Sequence, residues 1–395
     1  MSIKITAPYN FVPLNKDVFY PSWSEQVSQD LPFSDSEDGI IDVALHTVSP
    51  FFSRDGKDQE YSSHIMDSDG KRHYFIPATT IKGMLREMIE IMSFGKMQEG
   101  KDYQNCSFLK PSRKPRRPYK YDIKQQVEFG QKANSAKADL AETLFGLVTD
   151  DNSIKGRVMV GHAFMDGIVD DSRLKKNIGI LGSPKASYYP LYIRQEKSPY
   201  KTYDTPVGIA GRKLYRIHRG DSTTYLPNGK NGNMPTTFKA IPTGQTFRLR
   251  IALHNVRPME IGAILVALTL NNTKGTFFNL GLAKGFGYGK CKVRMEDIKL
   301  SGFSCEAKHY MHEFEKQMSV FTYRKTGELW AESKYISQLA SILSEHDDAA
   351  VTMMNSKAYT NSKKERKNPF NTLQESNKRI NSLLLADEIK KITNV

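Results

Sequence analysis

Residues 74–92 read YFIPATTIKGMLREMIEIM, and this stretch decides the fold prediction because it sets the first helix of the chain. Pro77 disfavours helix in the residue before it. Beyond Pro77, apolar residues recur along one helical stripe, namely Ile81, Met84, Leu85, Met88 and Met92. Thr79 or Thr80 can cap the helix with a side-chain oxygen. The stretch therefore predicts an amphipathic helix that begins just after Pro77.

Strand patterns stand on both sides of this helix. There are four of them: IIDVALHTV (40–48), KGRVMVGHAFM (155–165), GQTFRLRIALHNV (244–256) and KCKVRM (290–295). In the first, Ile41, Val43 and Leu45 alternate with polar or small residues, which is typical of a half-buried strand. A second helix pattern, PMEIGAILVALTLN (258–271), is almost wholly apolar and has Pro258 at its start.

The order of these patterns is β-α-β-β-α-β once two long irregular stretches are set aside. That order predicts an α+β fold with a ferredoxin-like (RRM-like) core. The irregular stretches, at about 95–138 and 166–238, are too long for ordinary loops and are predicted to be insertions. The ferredoxin-like domain is expected over 39–300. An N-terminal arm over 1–38, packed on the core or on a neighbour, precedes it, and a helical and polar extension over 301–395 follows it.

The composition points to a polyanionic partner. The chain carries a formal net charge of +14 over 395 residues, with a pI of about 9.4. Such a surplus favours nucleic acid because binding releases counterions. The cysteines Cys106, Cys291 and Cys305 form no pairing pattern, which fits a reducing compartment. No apolar run approaches the ~20 residues that span a bilayer. We therefore expect a cytoplasmic protein with no membrane partner.

A glycine loop lies between the second helix and the last strand. Its glycines are Gly281, Gly285, Gly287 and Gly289, and Lys284 and Lys290 flank the last three. Successive exposed N–H groups in such a loop can form a nest for a phosphate oxygen. The alternative is a tight turn in which the glycines only allow close packing. On the first interpretation, Lys284, Gly285, Gly287 and Lys290 are candidate RNA contacts.

Three segments of the chain resemble the RAMP superfamily, the repeat-associated proteins of type III CRISPR-Cas systems. FIPATTIKGMLREMIE is similar to the family's entry into its first helix, with Ile76, Pro77, Lys82, Gly83 and Arg86 at matching places. LFG (144–146) followed by KGRVMV is similar to the segment leading into the second strand. GLAKGFGYGKCKV is similar to the family's glycine-rich loop. YNFVPL and VFYPSW near the N-terminus further resemble a stand-alone RAMP group.

The resemblance implies a backbone subunit that binds CRISPR RNA and positions target RNA in an antiviral effector complex. Its partners would be other effector subunits or copies of itself. The segment around the first helix touches the guide backbone in such subunits, which points here to Thr79, Thr80, Lys82 and Arg86. The chemistry agrees, because N–H groups and hydroxyls at a helix start bind phosphate, helped by the helix dipole. No cofactor is required for this binding.

The resemblance also raises the alternative of an endoribonuclease. In many relatives an aspartate after the first strand cleaves target RNA with a metal, and Tyr61 stands near that position here. Asp58 and Glu60 are the nearest acidic candidates, and Mg²⁺ would then be the cofactor. A histidine could instead act as general base in processing CRISPR RNA, with His46, His64 and His73 as the candidates.

Two basic and aromatic stretches complete the prediction. The first insertion contains KPSRKPRRPYKYDIK (110–124), in which Arg116, Arg117 and Tyr119 are candidate RNA contacts. Interleaved cations and rings suit single-stranded RNA, and either insertion could be the thumb that crosses the guide–target duplex in related subunits.

Cys305, His309 and His312 offer too few ligands for zinc, so no metal site is predicted. A protein-interaction adaptor without an RNA partner remains a third possible function.

Overall fold

A computed structural model describes residues 7–54, 56, 60–97, 127–128, 131–134, 136–148, 153–179, 192–194, 207–219, 236–302, 306–346 and 378–394. The strands in chain order are β1 Tyr9–Val12, β2 Glu37–Thr47, β3 His64–Met66, β4 Arg72–Ile76, β5 Val127–Glu128, β6 Leu147–Val148, β7 Ser153–Ile154, β8 Val158–Val160, β9 Ala163–Met165, β10 Lys176–Gly179, β11 Val207–Gly208, β12 Arg212–Tyr215, β13 Ile217–His218, β14 Thr236–Lys239, β15 Thr246–Val256, β16 Phe278–Asn279, β17 Lys290–Leu300 and β18 Glu345–His346. The α-helices are α1 Ala78–Met92, α2 Leu140–Phe145, α3 Pro258–Thr269, α4 Ala307–Thr326, α5 Lys334–Ile342 and α6 Ala386–Thr393.

The main sheet is antiparallel and has eight strands. Its order is β16-β17-β2-β15-β9-β4-β3, and β8 also pairs with β15. Every pairing within it is antiparallel. The long strand β2 lies inside the sheet, between β15 and β17. Helices and an antiparallel sheet share one core, so the predicted α+β class is confirmed.

Burial along the sheet follows the predicted alternation. In β15, Phe247, Leu249 and Ile251 are buried, whereas Arg248 and Arg250 are exposed. The buried side shares a hydrophobic core with α1 and α3. The opposite side, which we call the outer face, carries Arg248 and Arg250, together with Arg294 of β17 and Phe164 of β9. The two faces differ because successive side chains of a strand point to opposite sides.

The first helix is where the pattern placed it, but its cap is different. Ile81, Leu85, Met88 and Met92 are buried, as predicted. The N-cap residue is Pro77, and the cap makes no side-chain hydrogen bond. The prediction of a threonine cap was therefore wrong. Pro77 fixes an extended backbone there, so the helix begins at Ala78 and both threonines fall inside its first turn.

A buried polar network joins the N-terminal arm to the core. Arg157 precedes β8, Glu260 lies in the first turn of α3, and both are fully buried. Arg157 forms an ion pair with Glu260 and donates from Nε to the Thr143 carbonyl at 3.1 Å. The indole N–H of Trp23, in the arm, donates to Glu260 Oε1 at 3.2 Å. These bonds satisfy groups that would otherwise be costly to bury.

The C-terminal helices pack into the same core as the sheet. Trp330 is fully buried and its indole N–H donates to the Met92 carbonyl at the end of α1, at 2.8 Å. Helix α4 crosses α3 so closely that a Cβ at Gly262 would lie 1.9 Å from the Tyr310 carbonyl oxygen. Only glycine fits this crossing. Within the described ranges, no helix is long and apolar enough to cross a membrane.

Candidate nucleic-acid interface

The start of α1 directly follows β4, which lies between β9 and β3 in the sheet. Thr79 is exposed in the first helical turn and Thr80 is half-buried beside it. The Ala78 N–H donates to Nδ1 of His162, in the turn between β8 and β9, at 3.0 Å. This bond ties the helix start to the sheet. The positive end of the helix dipole therefore lies beside an exposed hydroxyl.

The two cations of α1 share the side that faces the end of α2. The Lys82 ammonium lies 5.9 Å from the ring centroid of Phe145 and is half-buried. Arg86 donates from Nε to Glu90 at 2.9 Å and from Nη1 to the Gly146 carbonyl at 3.2 Å. Burial lowers the pKa of Arg86, but its hydrogen bond and ion pair with Glu90 outweigh this, so the pKa is raised. Arg86 is thus held between two elements of the fold.

Three aromatic rings lie next to the start of α1. The Phe75 ring, at the end of β4, is 4.8 Å from the His162 ring and 5.7 Å from the Phe164 ring, measured between centroids. Phe75 is buried, whereas His162 and Phe164 are exposed. Arg248 stands opposite Phe164 in the paired strands β15 and β9. The three rings therefore lie next to both the Arg248 guanidinium and the start of α1.

The glycine loop is tightly packed. Gly281 and Gly289 have positive φ, and a Cβ at either would lie within 2.3 Å of a backbone oxygen. The N–H groups of Leu282, Phe286, Gly287 and Gly289 all donate to backbone carbonyls. At these positions the loop forms a turn with satisfied donors. The alternative of a structural turn accounts for the loop's hydrogen bonds better than a phosphate nest does.

The candidate residues of the loop differ in exposure. Gly285 lies against Pro8 of the arm and Tyr215 of β12. Burial lowers the pKa of the Lys284 ammonium, although the charge of Glu87 on α1 opposes this. Lys290 is buried, and its ammonium donates to the His218 carbonyl and to Glu345, both at 3.0 Å. Lys290 therefore joins parts of the core, and Gly287 is buried as well.

The insertions are described only in part. Arg116, Arg117 and Tyr119 lie outside the described residues, so their predicted RNA contacts stay predictions. In the second insertion, Tyr192 and Tyr215 pack around Lys213, whose ammonium is 4.0 Å from the Tyr9 ring centroid and donates to the Tyr192 hydroxyl at 2.8 Å. These tyrosines anchor the N-terminal arm through cation–π contacts.

Two cations from neighbouring strands contact Tyr61, in the loop before β3, where acidic candidates were predicted. The Lys239 ammonium donates to the Tyr61 hydroxyl at 2.6 Å, and the Arg72 guanidinium stacks 3.9 Å from the Tyr61 ring centroid. The Glu60 carboxylate lies 3.6 Å from Lys239. Asp58 lies outside the described residues. Among the described residues, Lys239, Arg72 and His64 contact Tyr61, a set that does not fit Mg²⁺, which takes oxygen ligands.

The three candidate histidines stand in separate hydrogen-bonded settings. Nδ1 of His64 lies 2.8 Å from the Ser62 carbonyl oxygen, which can only accept, so Nδ1 carries the proton. Nε2 of His73 lies 2.9 Å from the Asp67 carboxylate. Nδ1 of His46 lies 2.9 Å from the Thr246 hydroxyl. Of the three, only His64 adjoins Tyr61, with ring centroids 6.3 Å apart.

Comparison with models of protein families shows which family the chain belongs to. The model described as the RAMP superfamily matches residues 44–292, which is more than half of the chain. The chain belongs to the RAMP superfamily. The match spans the last four residues of β2, all of α1 and the whole glycine loop of this RAMP protein. A search of the curated proteins finds no significant match.

Two solved structures are similar to this RAMP protein at a distance. A chain titled "Type IV-B CRISPR Complex" is 13% identical, covers 68% of this chain and 94% of its own, and superposes with a TM-score of 0.36. Csc2 of Thermofilum pendens is 14% identical, covers 75% of each chain, and has a TM-score of 0.32. At these scores neither similarity carries a functional conclusion.

Sequence reasoning overlooked three residues that the fold brings to the candidate sites. His162 and Phe164 lie on outward positions of GHAFM (161–165), where Ala163 and Met165 face the core. An aromatic residue at an outward strand position is a readable signal. Lys239 gave no local signal, because its contact with Tyr61 joins segments 178 residues apart.

Proposed function

We propose that this RAMP protein is a guide-RNA-binding subunit of a type III-like CRISPR effector complex. It holds the sugar-phosphate backbone of CRISPR RNA, positions target RNA, and assembles with other effector subunits or with copies of itself. Membership of the RAMP superfamily supports this function, as does the net charge of +14. The proposed setting is antiviral defence in the cytoplasm.

The exposed start of α1 carries the proposal. Thr79 presents its hydroxyl in the first turn, and Lys82 follows one turn later. A phosphate placed there would accept hydrogen bonds and would be stabilised by both the helix dipole and one cation. Arg86 supports the site by tying α1 to the end of α2. Lys290 is left out of the proposed interface because its ammonium is buried and already bonded.

We further propose that the core is a ferredoxin-like unit. Four of its segments correspond to the four strands of that plan, namely β2, β8 with β9, β15 and β17. In the sheet they follow the order fourth, first, third, second, with α1 after the first strand and α3 after the third. The start of α1 follows β4, which extends the sheet beyond the second strand and pairs with β9.

RNA binding should depend strongly on salt and weakly on base sequence. We expect the slope of log K against log salt concentration to become shallower by about 1 in Lys82→Ala, because one phosphate contact is lost. The measurement is fluorescence anisotropy with a labelled CRISPR-repeat RNA across a salt series. Lys390→Ala, on the exposed side of α6, is the matched control and should leave the slope unchanged.

Other outcomes would contradict the proposal. An equal loss in Lys82→Ala and Lys390→Ala would mean that binding is diffuse and not centred on α1. Absence of any salt-dependent RNA binding by the whole chain, with no nucleic acid co-purifying, would favour the adaptor function. Strong preference for one base sequence would contradict a grip on the backbone.

A second candidate function is metal-independent RNA cleavage, and the contact between Lys239 and Tyr61 favours it. His64 would take the proton of a 2′-hydroxyl on its unprotonated Nε2. The 2′-oxygen would then bond to phosphorus, and the 5′-oxygen would leave with a proton from Tyr61 or Lys239. The hydrogen bond to Tyr61 raises the pKa of Lys239, which therefore stays protonated at neutral pH.

Incubation of the whole protein with CRISPR-repeat RNA in excess EDTA distinguishes the two functions. A subunit that only binds should leave the RNA intact over hours at neutral pH. Products ending in 2′,3′-cyclic phosphate, absent with Tyr61→Phe and with His64→Ala, would establish the cleavage function. Cleavage that persists in both variants would exclude this cluster as its source.

A further inference from the structure

We propose that His162 and Phe164 form a stacking platform for bases of single-stranded RNA. This inference rests on the proposed function, because it adds a site for bases beside the site for phosphate. Phe164 is open to solvent despite its place inside the sheet. Phe164 lies in β9, paired with a strand on each side, yet 44% of its surface is exposed. Single exposed apolar side chains are common, but Phe164 belongs to a cluster of three rings, and it is contiguous patches that mark binding sites.

The rings are held in fixed positions. Phe75 stands opposite Phe164 in the paired strands β4 and β9, so its ring lies beside the platform on the outer face and contacts both exposed rings, with centroid distances of 4.8 Å to His162 and 5.7 Å to Phe164. The His162 and Phe164 centroids are 6.3 Å apart. Rings immobilised in this way lose little further entropy when a base stacks on them.

The platform is continuous with the phosphate site. Nδ1 of His162 accepts the Ala78 N–H at the start of α1, so neutral His162 carries its proton on Nε2. That N–H can donate to a phosphate or a base. Thr79 lies next in the chain, in the first exposed turn. One nucleotide can therefore place its phosphate at α1 and its base on the rings.

The charges around the rings favour RNA over an apolar protein partner. Arg248 stands opposite Phe164, and Arg250 is 72% exposed on the same outer face. Arg248 pairs with Asp166 and Glu296, and Arg250 pairs with Asp42. Exposed ion pairs of this kind are weak because water screens them, so an incoming phosphate can replace a carboxylate. Stacking gains more, because every base has an apolar face that matches a ring.

The test compares two labelled RNAs of one length, an intact single strand and a strand with abasic sites, by fluorescence anisotropy at one salt concentration. Wild-type protein should bind the intact strand more tightly. Phe164→Ala should weaken binding of the intact strand about fivefold to 100-fold and should leave the abasic strand unaffected. Phe164→Tyr should retain most of the affinity, since it keeps a ring. Leu31→Ala, at an apolar residue that is 74% exposed elsewhere, is the control.

Each failure has its own pattern. Equal binding of both RNAs by wild-type protein, with strong salt dependence, would overturn the platform and leave the backbone grip intact. Absence of RNA binding altogether would overturn both. Unchanged RNA affinity in Phe164→Ala, together with a lower sedimentation coefficient, would assign the rings to a protein contact and also overturn the platform.

Discussion

Replacement of Arg157 by alanine is expected to lower the free energy of unfolding by about 3–5 kcal/mol. Arg157 and Glu260 are fully buried, and Arg157 Nη1 donates to Glu260 Oε2 at 2.9 Å. Without the guanidinium, the Glu260 carboxylate remains in the core with no cation beside it. Urea denaturation followed by tryptophan fluorescence measures the loss directly, because Trp23 donates to the same carboxylate.

The control is an exposed ion pair between an arginine and an aspartate on the outer face. Arg250 donates from Nε to Asp42 at 2.9 Å but is largely exposed. Arg250→Ala should cost no more than about 1 kcal/mol, because water screens the pair in the folded protein and hydrates both charges when it is broken. Similar losses in Arg157→Ala and Arg250→Ala would contradict the assignment of the buried network as a main support of the fold.

Trp330→Ala is expected to cost about 3–5 kcal/mol in the same measurement. The substitution leaves a cavity in the core, where the Trp330 ring meets the Phe314 ring edge-on at 5.3 Å. It also removes the hydrogen bond to the Met92 carbonyl. Trp330→Phe keeps a ring in the core and should cost less, mainly the unsatisfied carbonyl, or about 1–3 kcal/mol.

This prediction also tests the domain boundary near residue 300. If the C-terminal helices share the core of the sheet, Trp330→Ala should shift a single cooperative transition, seen alike by circular dichroism and by the fluorescence of Trp23. A first transition that leaves the Trp23 signal unchanged would mean that the extension folds as a unit of its own.

Hydrophobic periodicity was sufficient to predict the main elements. The stripe from Ile81 to Met92 predicted α1, and the alternation in GQTFRLRIALHNV predicted β15, because both patterns report directly which side of an element meets the core. The cap of α1 was mispredicted. Propensity favours a threonine, but the rigid backbone of Pro77 already sets the boundary of the helix.

The candidate site was less predictable because its contacts are long-range. Arg86 was predicted to contact the guide backbone, and in the structure its guanidinium is already bonded to Glu90 and to the Gly146 carbonyl. Lys290 follows the glycine loop in sequence, but its ammonium is bonded to His218 and Glu345, which lie far away along the chain. Sequence pattern shows which residues can bind phosphate. It does not show which of them the tertiary structure has already engaged.

The position of β2 between two strands from much later in the chain has a consequence for biosynthesis. Its partners are β15 and β17, and Asp42 meets an arginine 208 residues further along. On the ribosome, a strand rich in isoleucine, valine and leucine therefore waits without hydrogen-bonding neighbours until most of the polypeptide has emerged. Such a nascent chain has a high contact order and an extended period of vulnerability to aggregation. Chaperone protection during that interval should therefore raise the yield of folded protein.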